Sequence, residues 1–135
     1  MPLNVNLLRQ SFEEVASANP KFVSRFYEIL FERYPQSKPL FPVNGMARQE
    51  EMLTGALVAV LDHLEDAPWL TETLGALGAK HVGYGVTREM YDWVGASLLA
   101  TLAEVAGSAW TTELNTAWSD AYGAIVSLML ARASA

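Results

Sequence analysis

Three features of the sequence predict an all-α fold. Apolar residues recur at helical spacing almost throughout. No segment of useful length alternates with the period of two that a half-buried strand would show, and proline, glycine and capping residues fall between the periodic stretches. With 135 residues and no internal repeat, linker or low-complexity tract, residues 1–135 are expected to form one domain around one core.

The first helix is predicted from Asn4 or Asn6, both good caps, to about Ala18, with Val5, Leu8, Phe12 and Val15 on one face. Asn19-Pro20 ends it and opens a second helix, whose buried stripe is Val23, Phe26, Leu30 and Tyr34, up to a stop at Pro35. A short turn or helix over Gln36 to Phe41 leads into Pro42-Val43-Asn44-Gly45, which is loop chemistry. Ala47 to about Glu65 then reads as a long helix with Leu53, Leu57, Val60, Leu61 and Leu64 inside. Pro68 opens a segment to about Ala79 that is expected to be short or irregular, because Gly75 and Gly78 each cost up to ~1 kcal/mol in a helix interior. Gly83 and Gly85 break the chain before Thr87, which caps a helix through Val105 that Gly107 closes. The last helix starts near Thr111 or Thr112 and runs almost to the end.

Composition narrows the function. The chain has no cysteine, which removes disulfides, iron–sulfur clusters, thiolate nucleophiles and a thiolate-bound haem. The net charge is −6 with nine basic residues spread along the chain, so no cationic stripe is present and nucleic acid is not an expected partner. The longest apolar stretches, Leu53 to Leu61 and Ala121 to Ala131, fall short of the ~20 residues a membrane span needs. Met1 to Asn6 shows no basic region followed by an apolar run, and a cytoplasmic location is the default expectation.

His63 and His81 are the only histidines, and they are not at the spacing that presents two imidazoles to one zinc ion. No serine-hydrolase elbow or phosphate-binding glycine loop is present, and Gly83-Tyr84-Gly85 follows no strand. The acidic pairs Glu13-Glu14 and Glu50-Glu51 do not share a helix face and read as solvated charge. His81 follows an apolar helix at a glycine-rich break, with Lys80 before it and Tyr91 ten residues later. A haem iron needs one such imidazole in an apolar, aromatic pocket. On spacing alone, a cap or a packed core residue is the better account of it.

The order of short segments adds a resemblance. Phe26-Tyr27, Leu30-Phe31, Tyr34-Pro35, Pro39-Leu40-Phe41, Gln49 with Leu53, Lys80-His81, Gly85, Tyr91, Val94-Gly95, Leu98-Leu99, Ala117-Trp118 and Ala121-Tyr122-Gly123 stand in sequence at family-like separations. Nearly the whole chain thereby resembles bacterial single-domain globins and the haem domain of flavohaemoglobins. The resemblance implies a globin fold of about six to eight helices around haem b (iron protoporphyrin IX). His81 matches the proximal iron ligand, and Tyr91 matches a residue whose hydroxyl joins the hydrogen-bond network of that histidine. In flavohaemoglobins the network ends on a glutamate, where this sequence carries Ala133. Phe41 matches the phenylalanine packed flat on the haem, and Lys80 and Val94 fall among the haem-contacting positions. Tyr27 and Gln49 match the distal polar pair, with Leu53 as the apolar wall one turn beyond Gln49. Glu50 stands where many relatives carry proline, so the helix beside Gln49 is expected to differ. Met46 and Met52 read as fillers near the pocket mouth, and His63, four turns past Gln49, reads as a surface residue.

The function so implied is tight binding of O2, and of NO or CO, at a six-coordinate site with a Tyr/Gln distal pair, and dioxygenation of nitric oxide to nitrate. Because the sequence ends at Ala135, a separate electron-donating reductase is expected, and a monomer or weak homodimer. Reversible oxygen storage or delivery uses the same residues and is the alternative. A haem-free globin-like interaction module, with His81 and Tyr91 as packing residues, is the third reading.

Overall fold

Asn4 starts the first helix as its side chain predicts, with Oδ1 accepting a hydrogen bond from the Leu7 amide at 3.2 Å. The computed structural model describes residues 4–41 and 45–133. Helix α1 runs Val5–Ala18, α2 Phe22–Arg33, α3 Met46–Asp62, α4 Ala67–Gly83, α5 Arg88–Ala106 and α6 Thr112–Ala133. Two 3-10 helices, Pro35–Leu40 and Gly107–Ala109, complete the order, and no strand occurs among the described residues. The all-α expectation holds, and the helix starts at Asn4 and Thr87 fall where their caps place them. Of the loop Pro42 to Gly45, residues 42–44 lie outside the described residues.

α2 is the most buried element. Phe22, Val23, Phe26, Tyr27, Ile29 and Leu30 are all enclosed, each large apolar side chain contributing ~1.5–3 kcal/mol. α2 packs along α5, whose Leu98 and Leu102 join the same cluster. An aromatic stack of Tyr34 on Trp93 and an ion pair from Arg25 to Glu104 mark the two ends of this contact. α1 lies across α5 and α6. There the Trp118 indole donates to Ser11 Oγ at 3.0 Å, and Ser11 Oγ in turn donates to the Leu7 carbonyl, so every polar atom of that buried contact is paired. A second cluster, Leu74, Tyr91 and Met129, sits between α4, α5 and α6.

The expectation for Pro68 to Ala79 is corrected. α4 is a continuous helix of 17 residues that carries Gly75 and Gly78 in its buried face. Gly78 marks a close approach to the Met129 backbone of α6 rather than a break, and packing there outweighs its low helix propensity. α3 ends at Asp62, three residues before the expected Glu65. Arg9 accounts for the stop. Its guanidinium donates to the Leu61 carbonyl at 2.9 Å and to the Asp62 carbonyl at 3.4 Å, closing carbonyls that a longer helix would use, and it pairs with Glu65 at 3.2 Å. Arg9→Ala is expected to lower stability by about 1–2 kcal/mol in urea denaturation, through these lost bonds to the helix end.

α3 is otherwise lightly held. Of its 17 residues only Leu61 is fully buried, while Leu53, Leu57 and Val60 are half-buried along its inner side. The helix thus leans over the body instead of filling it, and its apolar face borders the residues described next.

Candidate functional site

Tyr27 projects from the middle of α2 and is 4% exposed. Its ring sits edge-on to Phe41, at 5.4 Å between centroids, and to Phe26 at 5.0 Å, arrangements that suit the aromatic quadrupole. The Gln49 amide, from the first turns of α3, donates to the Tyr27 hydroxyl oxygen at 3.1 Å. An oxygen that accepts this bond keeps its own proton to give elsewhere. Burial, and next the charge of Glu50, push the Tyr27 phenol above its ordinary value while the Gln49 bond acts the other way, so it stays protonated at neutral pH. Leu53, Met46 and Phe41 pack half-buried against the same cluster.

His81 lies in the last turn of α4, inside the helix, and not at a break after it. The helix continues to Gly83 because Tyr84 and Val86 close its carbonyls, the Val86 amide reaching the His81 oxygen at 3.0 Å. His81 Nδ1 is 2.8 Å from the Leu77 carbonyl. A carbonyl only accepts, so Nδ1 carries the hydrogen, and in the neutral ring Nε2 presents a lone pair. The imidazole stands between the rings of Tyr84 and Tyr91, at 5.9 and 6.1 Å. Tyr91 therefore meets His81 face to face, while the histidine's hydrogen bond goes to its own helix. Tyr91 is itself positioned from α6. The Tyr122 hydroxyl donates to the Tyr91 carbonyl at 2.6 Å, and the Tyr122 ring occupies the space a Cβ at Gly95 would need, 2.6 Å away.

The sequence-derived site residues thus fall on two sides. Tyr27, Gln49, Phe41 and Leu53 gather around the α2 cluster, joined by Val94 from α5. His81 and Tyr91 lie with the α4–α6 cluster, to which Val60 of α3 and Leu77 also belong. α5 connects the two sides, since Tyr91 and Val94 are one turn apart on it. Lys80 is exposed, and the side chain of Ala133 lies outside the described residues. Met46 packs inward as expected of a filler, whereas Met52 is 59% exposed. His63 is not on the surface of α3. It is the C-cap, half-buried, stacked on Trp69 at 3.9 Å and bonded through Nδ1 to the Ala59 carbonyl. Glu50 is also corrected: Ser24 Oγ donates to its carboxylate across α2 and α3, so it is not simple solvated charge, while Glu13, Glu14 and Glu51 are exposed. Neither Ser24 nor Tyr122 was singled out by sequence for these contacts, because both pair with residues more than 25 positions away.

Burial raises Tyr27, Tyr91 and Tyr122 alike above the ordinary value of 10.0. A phenol whose folded value lies above its unfolded one stabilises the fold fully below pH 10, and that contribution is lost as pH rises from there through the folded value. Stability measured in urea is therefore expected to fall as pH is raised past 10. Tyr122→Phe, at the most strongly shifted of the three, is expected to flatten that fall.

Comparison with known proteins identifies the family and the fold. Residues 24–129 match the model of the Globin family. The flavohemoprotein of Rhodopirellula baltica is 31% identical over 133 residues, which are 97% of this chain and 33% of that protein, so the chain spans about a third of such relatives. A bacterial globin from Campylobacter jejuni superposes with a TM-score of 0.81 at 23% identity, over 96% of this chain and 94% of that one. An engineered carbene transferase, made from a Rhodothermus marinus protein provisionally named a nitric oxide dioxygenase, superposes with a TM-score of 0.82 at 26% identity, over 96% and 90%. With the family model covering residues 24–129 and the fold matching over nearly the whole chain, this protein belongs to the globin family.

Proposed function

We propose that this chain holds haem b between its two apolar clusters, binds dioxygen tightly beside Tyr27 and Gln49, and converts nitric oxide and dioxygen to nitrate with electrons from a reductase. The observation that carries the reading is the Gln49 amide donating to the Tyr27 oxygen, which leaves the phenol proton available to a ligand. The proximal side supports the fit. His81 offers one imidazole with Nδ1 already bonded to Leu77, which fixes the ring and directs Nε2 as the ligating atom. No group of three or more metal-binding side chains competes with it among the described residues. Phe41, Leu53 and Val94, half-buried and apolar, suit the faces of a flat macrocycle.

When bound, haem supplies an iron that takes a diatomic gas and changes oxidation state. The chain's own residues set the rest. Tyr27 donates to the ligand from a dry aromatic setting, where a hydrogen bond to partial negative charge is stronger than in water. Gln49 orients the phenol and polarises it, and Leu53 and Phe41 exclude water from the donor. Tight oxygen binding keeps the oxygen in place until nitric oxide arrives. Nitric oxide, dioxygen and one electron together make nitrate, so turnover requires a reductase, the kind of partner suggested by the flavohemoprotein relatives.

Stopped-flow mixing of the oxygen-bound protein with nitric oxide tests the reading. Rapid conversion to the ferric spectrum with equimolar nitrate is expected. Slow conversion without nitrate would overturn the enzymatic part and leave reversible oxygen binding.

A further inference from the structure

We propose that Ser24 and Glu50 form a latch between α2 and α3 that sets where the Gln49 amide stands, with Glu50 a positioning residue for the distal pair. The inference rests on the reading of Tyr27 and Gln49 given above and adds a residue to it. Two side-chain bonds join α2 to α3 side by side: Gln49 to Tyr27, and Ser24 to Glu50. Ser24 and Tyr27 are three residues apart on one face of α2, and Gln49 and Glu50 are consecutive on α3, so the second bond constrains the backbone that carries the first.

This constraint matters because, beyond the half-buried packing of Met46 and Leu53, little else holds that end of α3. Its N-cap is Gly45 at φ +93°, with no side-chain cap hydrogen bond. The only fully buried residue of the helix, Leu61, is eleven positions beyond Glu50, close to the other end, which Arg9 clamps. Thr54 Oγ1 also donates to the Glu50 carbonyl at 2.8 Å. Such back-bonding from a threonine bends a helix slightly and so adjusts the angle at which residues 49 and 50 meet α2. Without the latch, α3 is free to swing at its uncapped end, and the Gln49 amide moves away from the Tyr27 oxygen.

The test uses the haem-loaded protein as its carbon monoxide complex, read by the infrared stretching band of the bound gas, which reports hydrogen bonding to it. Glu50→Ala, Ser24→Ala and their double variant are compared with Gln49→Leu and Tyr27→Phe. Both single latch variants are expected to move the band toward the position seen in Gln49→Leu, and to speed oxygen release about threefold to tenfold, as loss of one interaction predicts. The double variant is expected to show no more than either single one, because both act through one contact. Glu50→Gln, whose amide oxygen still accepts from Ser24, is expected to retain the wild-type band. A band unchanged in Glu50→Ala and Ser24→Ala while Gln49→Leu shifts it would overturn the latch and leave the distal pair standing. A band unchanged in Gln49→Leu and Tyr27→Phe as well would overturn the distal reading, and the latch with it.

Discussion

Gly78→Ala is expected to lower stability by about 3 kcal/mol, the upper end of the cost of overpacking a well-filled contact. A Cβ at Gly78 would lie 2.8 Å from Met129 Cα and 2.7 Å from its carbonyl carbon, with the carbonyl oxygen closer still. The obstacle is helix backbone, which cannot swing aside as a side chain can. α4 would have to lift from α6, and His81, one turn further along α4, would lift with it. Urea denaturation of the variant checks the stability, and its absorption spectrum checks whether haem is held less firmly. Gly55 is the control. Nothing lies within 4 Å of a Cβ built there on α3, so Gly55→Ala is expected to leave stability unchanged or raise it by up to about 1 kcal/mol. Equal effects at both sites would mean that helix propensity, not the α4–α6 crossing, decides the cost.

The largest expected effect on ligand chemistry is at Tyr27. Tyr27→Phe keeps the ring among Phe26, Phe31 and Phe41 and removes only the hydroxyl. Oxygen dissociation is expected to accelerate by ~1–3 kcal/mol in the barrier, or roughly fivefold to 150-fold, for a donor lost from a dry pocket. Carbon monoxide carries less charge and accepts more weakly, so its dissociation is expected to change far less. An oxygen dissociation rate equal to the wild type would show that Tyr27 does not face the ligand. Fold stability should move little, since the half-buried Gln49 amide is left without this acceptor but remains within reach of water.

Helix starts were the most legible part of the fold because their causes are local. Asn4 and Thr87 act within three residues of themselves, and Pro35 stops α2 at Arg33 by its own covalent geometry. Gly78 was misleading for the opposite reason. Its effect depends on Met129, 51 positions away in sequence, and propensity reports only the cost of the glycine, not the helix crossing it permits. The end of α3 was hidden in the same way, since Arg9 acts across 52 residues.

The candidate site was legible only in part from physical pattern. A lone His81 near a helix end is ambiguous until its Nδ1 is seen bonded to Leu77 and its ring between Tyr84 and Tyr91. Tyr27 and Gln49 gave no signal of being paired, because periodicity on two separate helices carries no information about their relative placement; the resemblance singled them out, and the structure bonds them. Ser24 and Glu50 had no such guide. The resemblance marked Glu50 only as a departure, and the bond to Ser24 is visible in the structure alone.

No helix among the described residues is long and apolar enough to cross a membrane. The absorption spectrum of the purified protein, oxidised and then dithionite-reduced under carbon monoxide, tests the central claim most directly when His81→Ala is measured beside it. A strong Soret band that shifts with carbon monoxide in the wild type, and is weak or displaced in His81→Ala, is the expected result. A wild-type protein that shows no Soret band after haem is added, or a His81→Ala variant with an unaltered one, would contradict it.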